Sequence, residues 1–247
     1  MSYDMTILRE GAARYGITLT EKQEEQFIRY YELLIQWNKV MNLTGITEFD
    51  QVLLKHFTDS LSVAGSIDLT GVRTCVDVGT GAGFPGIPLK IAFPHLKVTL
   101  LDSLNKRLNF LNEVILQLGL RDIETVHLRA EEGGRKPQLR EKYDLSVSRA
   151  VSRMAVLSEY CMPYVKKGGY FISYKGGQAE EEIEEGKKAI SILGGKLERT
   201  EKFCLPDTDM ERTLVIIKKV KETPKKYPRK PGTPAKEPLG VTGENKK

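Results

Sequence analysis

Residues 76–86 read Val-Asp-Val-Gly-Thr-Gly-Ala-Gly-Phe-Pro-Gly, and this stretch constrains the chain more than any other. It ends a short β-rich run, Thr74–Val78, and opens a helical one. Gly79, Gly81 and Gly83 at alternate positions let the backbone turn sharply and come close to a ligand. Gly81 to Gly86 also matches G-x-G-x-x-G, a strand–turn–helix nucleotide pattern. No Gly-Lys-Ser/Thr follows, which excludes the phosphate-cradling loop of nucleoside triphosphatases.

Further β-rich runs follow at Lys97–Asp102, Glu124–Leu128, Tyr143–Ser148, Tyr170–Tyr174, Lys202–Leu205 and Arg212–Lys218. Helical runs, such as Leu104–Gln117 and Met154–Tyr164, fall between them. This alternation predicts an α/β, Rossmann-like fold with a mostly parallel seven-stranded sheet covered on both faces. The last two strands lack a long intervening helix, which predicts an antiparallel edge. Upstream, Thr20 and Gln23 form a capping-box pattern. Phe27, Tyr30, Tyr31, Leu34, Ile35 and Val40 then recur at helical spacing, and a second amphipathic run covers 50–65. Three regions result: an N-terminal helical extension (1–70), a Rossmann-like domain (71–220) and a basic, proline-rich tail (221–247).

The net charge is +5, but from Ile216 onward ten Lys/Arg face three Asp/Glu, leaving the rest of the chain at −2. A cationic tail on a nearly neutral body points to a polyanion such as nucleic acid, or to a solubilising appendage. Five prolines between 224 and 238 predict that the tail is extended or disordered. No run approaches the roughly 18 apolar residues of a membrane span, so no membrane partner is expected. The first twenty residues do not form a signal peptide. Cys75, Cys161 and Cys204 are scattered and read as reduced thiols of a cytoplasmic protein. His56, His95 and His127 are too dispersed for a metal cluster; a structural role is expected of each, and no metal.

Two acidic residues bear on the ligand. Asp77 ends the first strand just before the glycines. A carboxylate there would repel a pyrophosphate and suit an ammonium group, as in the methionine moiety of S-adenosylmethionine. Asp102 ends the second strand, where a carboxylate can accept both ribose hydroxyls. An NAD enzyme would share Asp102 but has less use for Asp77. A nucleotide-binding scaffold without turnover also remains open on these residues.

The stretch from Asp77 to Gly86 resembles motif I of class I S-adenosylmethionine-dependent methyltransferases. Its ending, with Ile87-Pro88-Leu89 and Phe93-Pro94, is similar to the ribosomal RNA small-subunit methyltransferase G family, also called glucose-inhibited division protein B. Bacillus-like members are nearest in character. Trp37-Asn38 with Asn42-Leu43-Thr44, Lys55-His56-Phe57-Thr58-Asp59-Ser60-Leu61, Asp102-Ser103-Leu104-Asn105-Lys106-Arg107, Ser148-Arg149-Ala150-Val151 and the tail from Lys225 to Pro234 carry the same resemblance.

The resemblance implies methylation of N7 of one guanosine in the 530 loop of 16S ribosomal RNA, naked or in a small-subunit particle. The cofactor is S-adenosylmethionine and the product S-adenosylhomocysteine. Guanine N7 bears no proton, so no general base is expected. Cofactor contacts are expected at Asp77, Gly79, Gly81, Gly83, Phe84, Asp102, Ser103, Ala130, Glu131 and Arg149. Arg149, whose planar donors suit guanine O6 or a phosphate, is the one residue expected on the target side. It either positions the base or contacts the cofactor, with a structural pairing to an acid such as Glu131 as the third reading. Lys225, Lys226, Tyr227, Arg229 and Lys230 are expected to bind RNA.

Overall fold

The computed structural model of the chain describes residues 3–241; residues 242–247 of the tail region lie outside the described residues. Seven strands, β1 (Thr74–Val78), β2 (Lys97–Asp102), β3 (Ile123–His127), β4 (Tyr143–Arg149), β5 (Val165–Gly176), β6 (Gly195–Cys204) and β7 (Glu211–Lys219), form one sheet. Its order is β3-β2-β1-β4-β5-β7-β6. Strands β1 to β5 are parallel neighbours. Strand β7 runs antiparallel to both β5 and β6. The predicted antiparallel edge therefore takes a particular form: β7 folds back into the gap beside β5, and β6 is the outer strand.

The central strands are buried on both faces, as parallel strands under crossover helices must be. Cys75 packs with one hydrophobic cluster and Val76 and Val78 with the other. Helices Gly86–Ala92 and Asn105–Gln117 cover the first face, and Met154–Cys161 and Glu180–Ile192 the second.

The N-terminal helices join the first face and share its core. Helix Glu21–Met41 begins at the predicted box, with Thr20 and Gln23 satisfying each other's backbone N–H groups. Phe27, Tyr30, Leu33 and Leu34 are buried along one stripe, whereas Val40 stands exposed near the helix end. The Tyr30 hydroxyl donates to the Ala82 carbonyl, so this layer props the glycine loop directly. The second helical run, 49–65, contains a π-helical segment, Leu53–Thr58, of the kind often found at functional sites.

The tail contradicts the expectation of an extended or disordered segment. Residues 221–241 pack against the body, with Thr223, Tyr227, Pro228 and Pro234 buried. The physical reason lies in the carbonyls. A proline-rich chain cannot pair them in a ladder, but arginines can. Arg140 donates to the carbonyls of Thr223 (2.6 Å) and Tyr227 (2.8 Å), and Arg135 to that of Pro228 (2.8 Å). Prolines also lower the entropy lost on ordering such a segment.

Candidate active site

The glycine loop is wound left-handed at three points, with φ of 72° at Gly79, 61° at Gly81 and 98° at Gly83. Other residues adopt these angles only with strain. The Gly79 and Thr80 N–H groups donate to the Leu101 carbonyl at 2.8 and 3.1 Å, tying the loop to the end of β2. Beneath the loop, Asp77 Oδ2 accepts from the Thr80 hydroxyl (2.7 Å) and the Gly86 N–H (2.9 Å). Its other oxygen, Oδ1, is buried with no partner. Burial pushes the Asp77 carboxyl up to about 6 despite these bonds.

A cleft of about 550 Å³ opens above the carboxyl ends of β3, β2, β1 and β4, where ligands bind in open α/β sheets. Of the ten residues expected around a cofactor, eight line it: Gly79, Gly81, Phe84, Asp102, Ser103, Ala130, Glu131 and Arg149. Asp77 and Gly83 do not. Asp77 braces the loop from below, and Gly83 packs so tightly against the Tyr30 hydroxyl that a Cβ would lie 2.6 Å from it.

In the middle of the cleft, Asp102 is almost fully buried. Its Oδ2 accepts from the Gly81 N–H (3.0 Å) and from Arg107 (3.3 Å), and its Oδ1 from the Leu104 N–H (2.9 Å). One lone pair on Oδ1 thus remains free of protein partners. At the β3 end, buried Glu131 accepts the Gly232 N–H at 2.9 Å. Gly232 and Ala235 line the cleft there, so the tail forms part of its wall.

At the β4 end, Arg149 pairs with Asp59 (3.0 Å) and donates to the Lys55 carbonyl (3.2 Å). Its acid is therefore Asp59, supplied by the N-terminal layer, and not Glu131. Arg212 holds the other oxygen of Asp59 at 3.2 Å. The Arg149 guanidinium also lies 4.9 Å from the centroid of the Phe84 ring. His56 stacks on the same ring, centroids 4.5 Å apart, and lines the cleft with Thr44. Burial, then the Arg149 charge, push the imidazole down to about 3, so it is neutral at ordinary pH.

His56, expected to be structural, belongs to the site, and so do Thr44, Asp59 and Arg107, which the sequence does not single out. The first three lie inside the two N-terminal motifs quoted for the resemblance, which is where their position could have been suspected. The expected RNA contacts divide. Lys225, Lys226 and Lys230 are exposed. Tyr227 is buried and has no face free for a base. Arg229 forms a bidentate pair with Glu159, whose side chain has no exposed surface, and is consumed by it. Among the described residues, no helix is long and apolar enough to cross a membrane, and no three His, Cys, Asp or Glu gather to hold a metal ion.

The family model of rRNA small subunit methyltransferase G (GidB) matches residues 23–214. A ribosomal RNA small subunit methyltransferase G from Lachnoclostridium phytofermentans is 59% identical over 236 residues, spanning 96% of this chain and 98% of its own. One from Bacillus cytotoxicus is 55% identical over 224 residues, spanning 91% and 94%. Among solved structures, a SAM-dependent O-methyltransferase from Thermotoga maritima superposes with a TM-score of 0.53 at 18% identity, covering 76% of this chain and 72% of that one. At that identity the likeness concerns the fold, a class I methyltransferase sheet.

Proposed function

The chain belongs to the rRNA small subunit methyltransferase G family, and from that premise we propose that it methylates N7 of one guanosine in the 530 loop of 16S ribosomal RNA, using S-adenosylmethionine. One observation carries the reading: a single cleft joins the glycine loop, Asp102 and Ala130–Glu131 in a line that ends at Arg149.

The residues present fit the cofactor. The free Oδ1 lone pair of Asp102 can accept a ribose hydroxyl, and the left-handed turn at Gly79, where Val151 lies too close for any Cβ, presents bare backbone to the cleft. Ala130 and Glu131, with the Gly232 turn, bound the β3 end, where an adenine would lie. When bound, S-adenosylmethionine supplies an activated methyl group that guanine N7 can take up in line without losing a proton.

The chain's own task is to align the two reactants and exclude water. The N-terminal layer holds the loop through Tyr30, and the tail closes the opposite wall. Arg149 has both Nη1 protons engaged by Asp59 and Lys55, which favours a supporting role at the β4 end over direct reading of the base. Asp77 acts through the loop it braces. Lys225, Lys226 and Lys230 are the tail cations we assign to RNA phosphates, a sequence-independent contribution.

No group facing the reacting end has to change protonation. His56 is already neutral, and Asp77, at about 6, is ionised above neutral pH. Single-turnover transfer at saturating RNA and cofactor should therefore vary less than about twofold between roughly pH 6.5 and 8.5. A rise of about tenfold per pH unit would reveal a general base and contradict N7 as the nucleophile.

A further inference from the structure

Thr44 sits at the β4 end of the cleft, held in place from several sides. Asn38 clamps its backbone: the Asn38 side-chain amide donates to the Thr44 carbonyl, and the Thr44 N–H donates back to Asn38 Oδ1, both at 2.9 Å. Asn42, left-handed at φ 48°, ends the preceding helix and turns the chain toward this clamp.

The hydroxyl is oriented by its neighbours. Arg149 can only donate, and its Nη2 lies 3.3 Å from His56 Nδ1. Nδ1 is therefore the accepting nitrogen of the neutral ring, and Nε2 carries the proton. That proton is donated to Thr44 Oγ1 at 2.7 Å. The Ile46 N–H donates to the same oxygen at 3.0 Å. Both lone pairs of the hydroxyl are thus occupied, and it has become a donor only. Among the described residues, nothing accepts its proton.

We propose that Thr44 is a specificity-determining residue whose hydroxyl donates to O6 of the target guanine. The inference rests on the N7 reading above. O6 adjoins N7 on the same base edge, and both are acceptors. Adenine carries an amino donor in place of O6. That amino group would face a hydroxyl with no lone pair to offer. His56 is the positioning residue that imposes this polarity, relayed from Arg149.

The test places guanine or 2-aminopurine at the target position of small-subunit RNA assembled into particles. 2-Aminopurine retains N7 and lacks O6. Single-turnover rates are measured for the wild type, Thr44→Val and Thr44→Ser, and the methylated atom is mapped. The wild type should prefer guanine by about tenfold or more, the scale of one buried hydrogen bond. Thr44→Val should lose most of that preference by slowing guanine alone, and Thr44→Ser should retain it. An unchanged preference in Thr44→Val, with both substrates slowed alike, would mean a structural role and overturn the proposal. So would a wild type indifferent to O6, a result that needs no variant to fold. A wild-type product other than 7-methylguanosine would instead overturn the N7 reading on which the inference stands.

Discussion

Replacing Gly79 by valine should reduce S-adenosylmethionine affinity by at least about 3 kcal/mol, more than a hundredfold. Two costs combine. Gly79 has φ 72°, a conformation that costs an ordinary L-residue roughly 1–2 kcal/mol and a β-branched one more. A Cβ there would also lie 2.7 Å from Val151 Cγ2, so the loop or the cleft wall must move. Asp102→Ala should weaken binding through the neighbouring contact. It removes the acceptor of the Gly81 and Leu104 N–H groups as well as the free lone pair, a loss of about 1.5–3 kcal/mol. Calorimetric titration of both variants, with unfolding curves to establish that they are folded, measures the effect. Wild-type affinity in both would remove the glycine loop from the cofactor site.

Loss of Arg229 should be the most costly single change in the tail. Glu159 has no exposed surface, and Arg229 supplies its only charged partner among the described residues, with Nη2 at 2.7 Å and Nε at 3.0 Å. Arg229→Ala leaves a buried carboxylate with a single backbone donor, Arg229 N–H at 2.6 Å. Breaking a buried pair in this way costs about 3–5 kcal/mol. Arg229 is 22% exposed, which places the expectation near the lower figure. Cofactor affinity should fall as well, because the Gly232 turn that bonds Glu131 begins three residues later. Lys225→Ala, at an exposed position of the same segment, should stay within about 0.5 kcal/mol of wild type. Denaturant unfolding distinguishes the two. Equal stability of Arg229→Ala and Lys225→Ala would mean that the tail is the solvated appendage its composition suggested.

The contrast between loop and tail shows what was legible beforehand. The glycine loop could be read because its requirements are local: alternate glycines, a strand before and a helix after. The strands could be read because apolar β-branched runs recur between helical stretches. The tail could not. Its prolines keep it out of the sheet, but they do not exclude the short helix Thr233–Lys236, which starts with Pro234 in its first turn, and irregular chain can still pack when donors arrive from elsewhere. Those donors, Arg135 and Arg140, lie more than eighty residues upstream. Charge counting likewise treats Arg229 and Lys219 as free cations, whereas Glu159 and Glu141 take them into buried pairs. Asp77 was found by position, but the direction of its side chain depends on which backbone N–H groups the folded loop presents. His56 looked isolated because its partners, Thr44, Phe84 and Arg149, are brought to it only by the N-terminal layer crossing the sheet's end.

Mapping the methylated product decides whether the methyl group goes to one guanine N7. Small-subunit RNA and particles from cells lacking the protein are incubated with the purified chain and isotopically labelled S-adenosylmethionine, and the label is located by mass spectrometry and 7-methylguanosine-specific cleavage. A single labelled 7-methylguanosine in the 530 loop is expected, absent when the protein is omitted. Label at another atom or another nucleotide, or no label from a protein that binds the cofactor normally, would contradict it.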